Sequence, residues 1–204
     1  MEKAKYLVSS PCPFTGEYNS ESCVVKHAWD FDRQSYIEDA IDAQHFFVVE
    51  VTYNSSLNDN DLYKKYIRDN GLYYCILLSV LYGKIFYTHG AFEFGNLYYV
   101  PQIEYIRHNQ KKMLPFNSNH RKDIAIDLKL ENVGIINKLL SLALTEEQAS
   151  AFQGFYAAAK QYYYGLYYIN KDPDIAYVSF VESGEILANS ICKSSDDLLD
   201  PEIL

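Results

Sequence analysis

The chain is expected to be an α+β protein, with a mixed strand-and-helix N-terminal region over 1–130 and a helical region over 131–204. Three observations carry that expectation. Runs rich in β-branched and aromatic residues, Cys23 to Trp29 and His45 to Tyr53, fall in the first third, and such residues fit a pleated, half-buried surface. Apolar residues recur at helical spacing between Phe152 and Ala188. The charge divides in the same way: residues 1–121 carry a net of −2 and residues 122–204 a net of −7.

Along the first region, Asn54 to Asp61 is a turn-forming cluster between the second strand and a long apolar stretch, Leu62 to Tyr87. Asn70-Gly71 is expected to end one short helix and start another, because glycine tolerates the left-handed conformation of a helix end. From Leu72 the apolar residues are nearly continuous, which describes a helix buried on most sides. His89-Gly90 and Gly95-Asn96 then flank a turn region, and Asn96 to Ile103 reads as a strand that Pro101 confines to an edge. After a polar connector over 104–122, Asp123 to Leu130 alternates as a short strand or extended lead-in.

In the C-terminal region, Val133 to Leu144 forms a short amphipathic pattern. Thr145 and Gln148 make a capping box for the next helix, with Glu146 and Glu147 suited to its dipole. That helix carries the stripe Phe152, Phe155, Tyr156, Ala159, Tyr162, Tyr163, Leu166. Asp172 caps the following one, with Pro173 at its first position, where no hydrogen bond is lost. Its stripe is Tyr177, Phe180, Val181, Gly184, Leu187 and Ala188, expected to press against the preceding helix. Gly184 costs roughly 1 kcal/mol against alanine inside a helix, which close approach of another helix would explain. Tyr162, Tyr163 and Tyr164 span about 200° of the circumference and cannot all face one core. Together with Gly184 they are candidate interface residues.

Composition limits the chemistry. Twenty tyrosines and eleven phenylalanines suit cores with polar rims, and equally interfaces. A net charge of −9 disfavours non-specific attraction to nucleic acid or anionic membranes. Four scattered cysteines show neither metal-site spacing nor a disulfide framework. The N-terminus lacks the apolar core of a signal peptide, and Leu72 to Tyr82 is too short to span a bilayer. A cytoplasmic location follows as an expectation, with no membrane partner. No phosphate loop, G-x-S-x-G or H-E-x-x-H motif occurs, so no cofactor, metal or catalytic residue is assigned.

Two clusters remain. Glu182 and Glu185 are three apart on one helix, a spacing that serves either a cation site or a solvated acidic face. Residues 107–122 contain no acidic residue; Arg107, Lys111, Lys112, Arg121 and Lys122 stand beside His108, His120 and Phe116. Cations beside an aromatic ring can hold phosphate and stack a base, so this is the candidate RNA or anion contact. The competing reading is a solvated connector that balances the acidic helices. A Gly-flanked loop with His89 and Glu93 is the remaining place for a small-molecule site.

The string DPDIAYVSFVESGEILAN after a tyrosine-rich helix, with LSVLYGKIFYTHGAFEFGNLYYVP upstream, resembles bacterial Apea-like HEPN proteins over about residues 75–190. The resemblance implies a helical bundle that often pairs with a second copy. It also implies a metal-independent ribonuclease where a later helix carries R-x₄₋₆-H. No arginine in this chain has a histidine five to seven residues after it, and the motif-bearing helices would follow Leu204. Glu185 matches the family's acidic position. The function expected is thus a non-catalytic interaction module of a HEPN-like protein, self-associating (a homodimer or other homo-oligomer) or partner-binding. The alternative is an RNA-binding or RNA-processing protein of a defence or toxin–antitoxin system, with its catalytic helices absent or supplied by a partner.

Overall fold

The computed structural model describes residues 2–10, 14–30, 35–36, 38–39, 44–53, 60–94, 97–98, 129–136, 138 and 146–191. The protein is α+β, and the chain divides into two compact units, Met1–Asn137 and Lys138–Leu204. In order along the chain come β1 (Glu2–Ser10), β2 (Tyr18–Asn19), β3 (Cys23–His27), β4 (Trp29–Asp30), β5 (Ser35–Tyr36), β6 (Glu38–Asp39) and β7 (Gln44–Tyr53). They are followed by α1 (Asn60–Tyr82), β8 (Tyr87–Phe94), β9 (Leu97–Tyr98), a 3₁₀ turn at Leu130–Val133, α2 (Glu146–Tyr168) and α3 (Pro173–Ile191).

The main sheet of the first unit is antiparallel in every described pairing, in the order β2-β3-β7-β1-β8-β9, with β6 also on β7. β4 and β5 form a separate two-stranded ribbon. β3 and β7 lie where the sequence places strands. β1 alternates only at its start, and no longer does so from Leu7 on, because Leu7, Val8, Ser9 and Ser10 are all buried and that half is covered on both faces. Its two serines are satisfied: Ser10 Oγ donates to the Ile85 carbonyl at 2.9 Å, and Ser9 Oγ lies 2.8 Å from His89 Nε2. Toward its start, β1 turns Lys3 and Lys5 to the rim. There Lys3 meets Glu50 at 2.5 Å and Lys5 meets Glu93 at 2.6 Å, a charge ladder across β7, β1 and β8.

Two readings are corrected by α1 and β8. Asn70-Gly71 does not break the helix; α1 runs unbroken from Asn60 to Tyr82. A Cβ at Gly71 would lie 2.7 Å from the Tyr6 ring and 2.8 Å from Thr88 Oγ1, so this glycine lets the helix lie close on the sheet. The left-handed residue is instead Gly83, at φ 63°, directly after the helix. The supposed turn around His89-Gly90 is the strand β8, which absorbs Gly90 at φ 93° and irregular register against β1.

Between α1 and the sheet, Phe14 touches Phe47, Tyr82 and Phe86 with ring centroids 5.5, 4.9 and 5.2 Å apart. The Phe86 N–H donates to Ser79 Oγ at 3.0 Å, and Tyr82 Oη donates to the Lys129 carbonyl at 2.6 Å. The second bond secures the 3₁₀ turn, which Thr15 also holds by accepting from the Leu130 N–H at 3.0 Å. Residues 129–130 therefore form a bridge and a turn, while 123–128, 99–103 and Thr145 lie outside the described residues.

In the second unit, α2 and α3 are antiparallel neighbours. The Ile175 N–H donates to Asp172 Oδ1 at 3.2 Å, so Asp172 caps α3 as its position predicts. The turn before it is closed by N–H donation from Lys171 and Asp172 to the Tyr168 carbonyl, both at 2.8 Å. Lys171 Nζ lies 3.3 Å from the Tyr167 ring centroid.

Candidate functional site

The face that α3 turns toward α2 is made of small side chains around one ring, Phe180. Ala176 and Ser179 are buried there, and Ser183 Oγ donates across to the Ala158 carbonyl at 2.8 Å. The close approach is made by two glycines of α2. A Cβ at Gly165 would lie 2.5 Å from the Phe180 ring, and one at Gly154 would lie 2.5 Å from Ser190 Cβ. The Tyr162 ring flanks Phe180 at 5.5 Å.

That arrangement overturns the expected seam. Of the stripe Tyr177, Phe180, Val181, Gly184, Leu187, Ala188, only Phe180 has its ring against the Gly165 position of α2. Tyr177 is 70 % exposed, Val178 52 %, Val181 41 % and Leu187 38 %. Nothing lies within 4 Å of a Cβ built on Gly184. The physical reason is steric: hydrogen-bonding serines and alanines allow the helices closer than valine and tyrosine would, so the polar-looking face wins the contact. Phe180 is accommodated by Gly165, while Tyr177, Val178 and Val181 are left outside.

The other candidate interface residues are placed as follows. Tyr163 is buried at the α2 core, while Tyr162 and Tyr164 are half-buried. The Tyr163 and Tyr164 rings stand 6.0 Å apart, and Lys160 Nζ lies 5.9 Å from the Tyr164 ring. Burial raises the Tyr162 hydroxyl above its ordinary pKa. Glu182 and Glu185 are both exposed. Arg107, Lys111, Lys112, Arg121 and Lys122 lie outside the described residues.

In the first unit, the polar group that sequence reasoning did not join is Ser9 with His89. β1 and β8 are adjacent, which brings residues eighty apart to 2.8 Å. The imidazole also lies 5.6 Å from the Phe46 ring, and burial lowers its pKa to about 4. It is therefore neutral at neutral pH, as a general base must be. Ser9, however, is wholly buried, so no substrate carbonyl can reach its hydroxyl. Glu93 is engaged by Lys5. The pair is a part-buried hydrogen bond that ties β1 to β8. No periodic signal precedes it, since a serine in an apolar strand and a histidine before a glycine pair only through the sheet.

Among the described residues, no group of three His, Cys, Asp or Glu side chains is placed to hold a metal ion. Cys23 and Cys75 are buried free thiols; burial pushes Cys23 up to about 12 and Cys75 higher still, which removes thiolate reactivity. No described helix is long and apolar enough to cross a membrane. Comparison with known proteins finds no matching family model, curated protein or solved structure.

Proposed function

We propose that the chain is a non-catalytic interaction module of the HEPN-like kind, which associates through its C-terminal helical hairpin. One observation carries this reading: α3 meets α2 through small residues and leaves Tyr177, Val178 and Val181 in water. These three share one side of α3 and expose on the order of 300 Å² of surface between them, near the size at which a contiguous patch on a monomer marks an interaction site. Scattered single exposures would need no explanation; these follow one another along a single helix.

The test is the mass of the full chain in solution by size-exclusion chromatography with light scattering, together with incubation with single-stranded RNA without added metal. An association module elutes above monomer mass and leaves the RNA intact. A monomer that degrades RNA would replace this reading with the ribonuclease one. A monomer without activity would remove both.

A further inference from the structure

We draw no further inference here: the strongest candidate, the apolar floor of Leu7, Val48 and Phe92 on the main sheet between the Ser9–His89 bond and the Lys5–Glu93 pair, carries nothing because those polar groups already hold one another and nothing in the structure shows what covers it.

Discussion

α1 and α3 are both long helices with a glycine in mid-course, and their surroundings differ completely. In α1, Tyr74, Cys75, Ile76, Leu77, Leu78 and Ser79 are all buried, and Gly71 is filled by Tyr6 and Thr88. In α3 the buried residues are Ala176 and Ser179, while Tyr177, Val178 and Val181 face water and the space beside Gly184 is open. The first helix spends its apolar surface on its own unit. The second leaves Tyr177, Val178 and Val181 outside its contact with α2. Burial inside a chain and apolarity of a stripe are therefore separate facts, and in α3 they part company.

The contrast is tested most strongly at its two extremes. Phe47→Ala, at a wholly buried ring against Phe14 and Phe86, is expected to lower the stability of the first unit by about 3–5 kcal/mol. Tyr177→Ala is expected to change monomer stability by less than about 0.5 kcal/mol. Urea denaturation of both variants, under dilute conditions, compares them directly; equal losses would mean that Tyr177 is packed within its own chain.

A second difference concerns pH. Burial holds His89 at about 4, below its ordinary 6.5, so unfolding between those values takes up a proton and is favoured by acid. The stability tied to a neutral His89 is complete above pH 6.5 and is lost as pH falls toward 4, on the order of 3 kcal/mol in all. The second unit contains no histidine. Hydrogen exchange at pH 7 and pH 5 should therefore show amides of β1 and β8 losing protection that His89→Gln retains. The same acid sensitivity in His89→Gln would assign the effect to another group.

Within the hairpin, Gly165→Ala drives a methyl against the Phe180 ring. The clash outweighs the gain in helix propensity, for a net loss of about 1–2 kcal/mol, read as faster amide exchange in α2 and α3. The smallest expected effect is at the turn. Asp172→Ala removes the acceptor for the Ile175 N–H and costs about 1 kcal/mol, seen as fraying confined to the first turn of α3.

Local patterning made several of these elements legible. β3 and β7 announced themselves through β-branched and aromatic runs, and α3 through Asp172-Pro173 and its 3.6-residue stripe. β1 and β8 did not, because a strand covered on both faces over half its length loses its alternation there and a bulged strand with a glycine looks like a turn. Gly71 misled for a related reason: a glycine that ends a helix and one that admits a neighbour have the same letter. Of the candidate interface, Gly184 and its neighbours were visible as a stripe, but the direction in which they point was not.

Sequence by itself determined the α+β class, the acidic helical half, the capped start of α3 and the absence of familiar catalytic motifs, because all of these depend on neighbours a few residues away. Tertiary structure decided the central place of β1, the Ser9–His89 bond and which side of α3 is covered. Those depend on how closely two distant surfaces can approach, and in the hairpin alanine, serine and glycine positions set that approach, leaving Tyr177, Val178 and Val181 exposed.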